Sequence, residues 1–377
     1  MIYHAPSKII FASGAVFQLK DVVEREFQVS KILLVTDRGI VQSGIAGRVL
    51  SQLSGILVFD GVEQNPRSLT INRAGEEARK QKPELVIGLG GGSALDAAKA
   101  VALLATNPGY IEDYEGRAQY KTPPLPVLAI PTTCGTGSEV TWVAVITHSE
   151  RKYKMSIKGP QMFPAVALVD PDLLSTLPRP YVASTGLDAL THAVEAYAVK
   201  LASQITDVWA REAFRLVLRH IQDAYSDLKH NREAREGMML GSLLAGLAFG
   251  NSDVGAVHCI SESIGALFDV PHGVANAIFL PYVMEFNLPV SANKYADLAR
   301  LAGIYEGDDL LAAERLIRKI KDLSRTLEIP SFKALGIKDK QLAEIAEKSS
   351  ENNSNPSNPR PASADDYLAI LKKAFLD

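Results

Sequence analysis

The chain is poor in cysteine: Cys134 and Cys259 are the only two in 377 residues, and they lie far apart. That excludes a disulfide framework and fits a reducing compartment. An excess of either charge is also missing. Forty basic and 43 acidic residues nearly cancel, and no block of like charge stands out. Neither a nucleic-acid surface nor a charged interaction tail is therefore expected. Long apolar runs are absent as well: SLLAGLAF at 242–249 is among the most apolar stretches, and a membrane span needs about 20 residues. The start, MIYHAPSKIIFASG, has no basic segment followed by an apolar run and does not read as a signal peptide. A cytoplasmic protein with no membrane or nucleic-acid partner is the expectation.

What is present is globular in balance, with 47% hydrophobic and 22% charged residues, and the length suffices for two domains. In the first half, short β-branched runs alternate with helical patterns. KILLVTD (31–37), GILVFDG (55–61), ELVIGLG (84–90) and LPVLAIP (125–131) read as strands. GIAGRVLSQL (44–53), LTINRAGEEARKQ (69–81) and the segment after GGGS read as helices. This alternation predicts a parallel sheet covered on both faces. After PRPY (178–181) strand signals nearly vanish, and apolar residues recur at helical spacing. The expected division is an α/β domain over 1–179 and an all-helical domain over 180–377. The polar segment 349–366 reads by composition as a mobile loop before a last helix.

Three turns stand at the ends of parallel-type strands, the edge where such sheets bind ligands. GLGGGSALDAAKA (88–100) runs from a strand into a helix. Its glycines allow close backbone approach, and the helix start attracts phosphate. It is neither GKT/GKS nor a strict GxGxxG, and a role in packing alone is the alternative. Asp37 ends LLVTD, where a carboxylate can contact a ribose and repel a 2′-phosphate, or simply cap the next helix. PTTCGTGSEVT (131–141) offers the hydroxyls of Thr132, Thr133, Thr136 and Ser138.

In the helical half, GLDALTHAVEAY (186–197) sets Asp188 and His192 four residues apart, about 40° apart around a helix. VHCISESIGALFDVPHG adds His258 and His272, the latter after Pro271, which favours a helix start there. One carboxylate and three imidazoles make a four-ligand set suited to Fe²⁺, Zn²⁺, Co²⁺ or Ni²⁺ rather than Mg²⁺ or Ca²⁺. An i, i+4 salt bridge and hydrogen-bonded core histidines are the plainer alternative. His4, His148, His220 and His230 receive that plainer reading, and Cys259 reads as a small buried residue.

Taken together, GGGSALDAAKA, PTTCGTGSEVT, TGLDALTHAVEAY, the His258/His272 pair, LLVTD, VDPDLLSTLP (169–178) and NPRP (358–361) resemble the iron-containing alcohol dehydrogenases. The resemblance spans most of the chain. It implies a Rossmann-like N-terminal domain and a helical C-terminal domain, the fold plan shared with dehydroquinate synthase, with the active site in the cleft between them. It implies Asp188, His192, His258 and His272 as ligands to Fe²⁺, with Zn²⁺ as the alternative. Gly91, Gly92 and Ser93, with Asp96, match its pyrophosphate turn, and Thr132, Thr133, Thr136 and Lys154 match residues lining the nucleotide. Asp37 matches the position where an acid implies NAD rather than NADP. The implied reaction is reversible hydride transfer between NAD(H) and a primary alcohol or aldehyde, in a homodimer. The NPRP match marks 349–366 as a family feature rather than a disordered linker. The family often has a further His four residues after the third ligand; here Glu262 stands there, as a proton relay, a brace for the ligands or a structural partner. Phe249, Asn251 and Trp142 are candidates to line the substrate pocket. A polyol or glycerol dehydrogenase and, further off, a dehydroquinate synthase-like lyase are the alternative activities.

Overall fold

A computed structural model describes residues 2–377, which form two compact units. One consists of His4–Leu177 and Leu228–Met239, the other chiefly of Pro178–Asp227 and Leu240–Asp377. The single boundary expected at 179/180 does not account for 228–239, which group with the α/β unit. Arg235 explains why: its guanidinium meets the Asp172 carboxylate at 3.0 Å and donates to the Leu228 and Lys229 carbonyls.

The α/β unit contains strands β1 (Lys8–Phe11), β2 (Ile32–Val35), β3 (Ile56–Phe59), β4 (Leu85–Gly90), β5 (Gly116–Arg117), β6 (Val127–Pro131), β7 (Val143–Thr147), β8 (Lys154–Lys158) and β9 (Val166–Val169). Its helices are α1 (Leu19–Glu26), α2 (Arg38–Gln42), α3 (Ile45–Leu50), α4 (Ser68–Gln81) and α5 (Gly92–Thr106). Six strands form one parallel sheet in the order β1-β9-β6-β4-β2-β3. Alternate residues face opposite sides. Leu33, Val35 and Val86 enter one core with α4 and α5, while Ile32, Leu34, Leu85, Ile87 and Leu89 enter another with α1 and α3. Both faces are thus covered, as strands with no polar alternation require. The four strands read from sequence are β2, β3, β4 and β6. The β7–β8 pair, antiparallel and flanked by β5, makes a separate small sheet.

The helical unit holds α6 (Arg179–Ala198), α7 (Gln204–Asp227), α9 (Ala256–Phe268), α10 (His272–Leu301), α11 (Asp309–Thr326), α12 (Leu342–Ser350) and α13 (Ala364–Leu376), and α8 (Arg232–Ser252) ends in it. α6 is buried almost all round from Val182 to Ala198. A helix enclosed on every side is apolar on every side, which accounts for its Ala, Leu and Val content. No single helix among the described residues is long and apolar enough to cross a membrane.

Segment 349–366 is ordered, contrary to its composition. The Asp253 carboxylate accepts from Ser354 Oγ (3.0 Å) and Ser357 Oγ (2.6 Å), and Asn358 exchanges hydrogen bonds with Asn287. Asn355 Oδ1 accepts from the buried Tyr367 hydroxyl. Polar composition here reflects hydrogen bonding inward rather than solvation.

Candidate active site: a glycine-rich turn and a buried histidine cluster

Strands β2, β4 and β6 are neighbours in the sheet and parallel, so the turns that follow them emerge side by side. Thr132 N–H donates to Gly90 O at 2.9 Å, tying two turns together. Gly90 has φ +147°, and a Cβ there would meet Ala94 Cβ at 2.7 Å, so this position requires glycine. A Cβ on Gly92 would meet Thr136 Cγ2 at 2.5 Å, and one on Gly91 would meet Thr133 at 3.2 Å. The α5 N-terminus, with Gly91 as N-cap and no side-chain cap, opens onto this cradle beside Ser93. Thr132 Oγ1 is buried with no hydrogen-bond partner. An uncapped helix start, glycines where a Cβ would intrude and an orphaned hydroxyl together fit an anionic nucleotide moiety.

Asp37 acts as the helix cap that its position also allowed. Its Oδ1 accepts from Ile40 N at 3.0 Å and closes the start of α2. The other oxygen lies 3.3 Å from where a Gly90 Cβ would be, so the carboxylate also borders the glycine turn. Lys154, on β8, donates to Asn65 Oδ1 at 2.6 Å. Asp96 is turned into the fold. It accepts from Ser138 Oγ at 2.6 Å and Val145 N at 3.0 Å and faces Lys99 Nζ at 3.1 Å.

Sequence reading passed over Lys99 and Glu139. Lys99 is fully buried and donates to the carbonyls of Ser138 and Val143, lacing the threonine turn to α5. Burial pushes its pKa down against the pull of Asp96. Glu139 is 2% exposed, and burial pushes its carboxyl up to about 7 against its own backbone N–H and Lys99. The i, i+3 spacing of Asp96 and Lys99 was the available signal.

In the helical unit, one ligand-type atom from each of Asp188, His192, His258 and His272 lies within 4.8 Å of all the others. α6 supplies the first two, one turn apart on its inner face, while α9 supplies His258 and α10 begins at His272 after the N-cap Pro271. Gly273 permits the approach: a Cβ there would meet Ser184 O of α6 at 2.4 Å. His192 Nε2 and His258 Nε2 face each other at 2.9 Å, and Asp188 Oδ1 is 3.9 Å from His192 Nδ1 and 3.8 Å from His272 Nε2. Ligands about 2.1 Å from a tetrahedral divalent ion stand about 3.4 Å apart. Asp188, His192 and His258 are buried, and the His272 side chain is 30% exposed. Burial, and next His192, push His258 well below the usual imidazole range, so it stands neutral with a lone pair to give. The donor set therefore fits a divalent transition metal.

Two residues that sequence reading missed complete the cluster. Asn276, one turn after His272, donates from Nδ2 to Asp188 Oδ1 at 2.6 Å and lies 3.1–3.2 Å from the Nε2 atoms of His272 and His258; its Oδ1 accepts from Ser261. Glu195, three residues after His192, reaches His258 Nδ1 at 2.5 Å. Burial pushes the Glu195 carboxyl up to about 7, opposed by the N–H groups of Gly255 and Val257. Glu262, one turn after His258, accepts from Asn352 Nδ2 at 2.6 Å. Of the proposed pocket residues, Phe249 stacks on His192 at 4.2 Å, and Asn251 donates to Leu247 O on its own helix. Trp142 belongs to the α/β unit, stacked on Phe163 and under the Arg117 guanidinium.

Comparison with known proteins agrees with this geometry. Residues 6–171 match the iron-containing alcohol dehydrogenases, and residues 182–375 match the Fe-containing alcohol dehydrogenase family, C-terminal. Alcohol dehydrogenase 4 of Saccharomyces cerevisiae (strain YJM789) is 37% identical over 380 residues, 99% of this chain and 98% of that protein. The solved structure of a 1,3-propanediol oxidoreductase superposes with a TM-score of 0.95 at 37% identity, over 99% of both chains. That of sulfoacetaldehyde reductase from Bifidobacterium kashiwanohense in complex with NAD⁺ gives 0.88 at 31% identity, over 99% and 98%. Matched in both halves and along nearly its whole length, the chain belongs to the iron-containing alcohol dehydrogenase family.

Proposed function

We propose that this oxidoreductase is an NAD- and iron-dependent enzyme interconverting a short primary alcohol and its aldehyde by hydride transfer. The observation that carries the reading is the convergence of Asp188, His192, His258 and His272 on one point inside the helical unit. An imidazole-rich set suits Fe²⁺ and accepts Zn²⁺ as the alternative. Once bound, the metal supplies Lewis acidity toward the substrate oxygen, and the nicotinamide carries the hydride.

The chain's own residues hold and orient. Asp188 brings the anionic ligand, kept in place by the Asn276 amide. Phe249, flat on His192, shields that imidazole from water. His272 is the partly open member of the set, the side from which a small substrate approaches. In the α/β unit, Gly91, Gly92 and Ser93 receive the pyrophosphate at the α5 start, and Thr132, Thr133, Thr136 and Lys154 fix the rest of the nucleotide. Asp37 favours NAD by accepting from ribose hydroxyls and repelling a 2′-phosphate. Glu262, engaged by Asn352, braces α9 against segment 349–366. The likeness to a 1,3-propanediol oxidoreductase supports a three-carbon alcohol or diol as the first substrate to try.

The test is anaerobic. Metal is stripped, Fe²⁺ or Zn²⁺ is returned separately, and NADH absorbance is followed with short aldehydes, including 3-hydroxypropanal. Metal-dependent NADH loss, faster with Fe²⁺, is expected. Equal turnover in stripped and reloaded enzyme would sink the metal assignment.

A further inference from the structure

The α6 face that carries Asp188 and His192 continues to Glu195. Spacings of four and seven residues from Asp188 keep all three side chains on one stripe. Glu195 is buried, and its two oxygens have different partners. Oε1 accepts from Val257 N at 2.8 Å, at the start of α9, and Oε2 meets His258 Nδ1 at 2.5 Å. The same helix start receives Asn358 Oδ1, which accepts from Ala256 N at 3.2 Å. A Cβ on Gly255 would strike both groups, at 2.9 Å from Asn358 Oδ1 and 3.0 Å from Glu195 Oε1.

An imidazole has one N–H and one lone pair when neutral. With a carboxylate oxygen at Nδ1, the shared proton lies on that side, and Nε2 turns its lone pair toward His192 and the cluster. A carboxylate behind a ligating imidazole also fixes the ring plane and raises the donor strength of the other nitrogen. Charge points the same way. Among the described residues, the buried acids of the helical unit are Asp188 and Glu195, and none of its lysines or arginines is buried. With no buried lysine or arginine beside them, the charge these two acids can carry is what a divalent ion would match.

Resting on the metal reading above, we propose that Glu195 is a positioning residue for the metal centre, holding His258 in the tautomer and orientation that bind the ion while tying the α9 start to α6. It touches neither substrate nor cofactor.

The test uses full-length protein freed of metal and titrated with Co²⁺, with affinity read by chelator competition and geometry by the visible absorption bands. Glu195→Gln should bind Co²⁺ about 10–100-fold more weakly and shift those bands, while NADH binding, read by fluorescence, stays within about twofold. Asn358→Ala removes the neighbouring cap without touching the imidazole. It should lower the melting temperature yet keep Co²⁺ affinity within about twofold. Glu195→Gln with wild-type affinity and bands overturns the proposal, as does Asn358→Ala weakening Co²⁺ as much as Glu195→Gln. Wild-type protein that takes up no Co²⁺ removes the metal reading and this inference together; normal uptake by both proteins removes this inference alone.

Discussion

At the residue scale, the informative positions are polar groups that the fold encloses. Glu139 gives a pH prediction. Its folded-state pKa, about 7, lies above the ordinary glutamate value of 4.5, with burial as the main cause. At low pH both folded and unfolded chains hold the proton, and burial carries no charge penalty. As pH rises from about 4.5 to 7 the unfolded chain ionises first, and the α/β unit loses stability, by about 3 kcal/mol at the upper end. Glu139→Gln lacks this titration. Unfolding measured at pH 5 and pH 8 should therefore favour the variant over wild type more strongly at pH 8. A wild-type-to-variant difference that does not move between these pH values would refute the account.

The same scale separates what sequence reading could reach. Asp188, His192, His258 and His272 carry residue types that announce ligation. Lys99, Glu195 and Asn276 do not: a lysine, a glutamate and an asparagine on helices read as solvated until burial is known. Their spacings, three after Asp96, three after His192 and four after His272, become meaningful only beside the primary residues.

At the element scale, helix approach decides whether the cluster can assemble. Gly273 sits in the first turn of α10, where a Cβ would overlap Ser184 O of α6 at 2.4 Å and approach Asp188 Cβ at 3.3 Å. Backbone in α6 cannot yield as a side-chain tip would, so Gly273→Ala should push the His272 end of α10 away from Asp188. The expected cost is about 1–3 kcal/mol of stability, with at least about tenfold weaker metal binding. Calorimetry and chelator competition read the two effects; full metal affinity in this variant would show that α6 and α10 tolerate the extra atom. Periodicity located α6, and Pro271 marked the α10 start. It could not indicate that segment 349–366 is fastened by Asp253 and Asn287, because those partners are remote in sequence. Nor did it find β1, β5 or β7 to β9.

At the scale of the whole molecule, the α/β-then-helical order was legible because the apolar period changes near residue 180. The return of 228–239 to the α/β unit was not, since it depends on the Arg235 contacts rather than on any pattern. With the metal-type cluster in the helical unit and the glycine cradle in the α/β unit, ligand linkage should be separable. Free metal at 100 times its Kd adds about 2.7 kcal/mol to the helical unit. Scanning calorimetry with Co²⁺ and with chelator should show that gain as a raised transition. A chelator-insensitive scan would mean that the cluster holds no ion in the folded state.

The division of the metal-type cluster among α6, α9 and α10, with Asn358 capping α9 from much later in the chain, has a consequence for biosynthesis. A ribosome adds about 5–20 residues per second, so roughly 10–30 s separate His192 from Asn358. Until His258 and His272 follow, about 4–16 s after His192, the nascent chain presents a carboxylate and an imidazole on α6 with no partners to close around an ion. Metal acquisition at this cluster would thus be a late event, and an ion held firmly by a newly made chain would certify that translation has passed the start of α10.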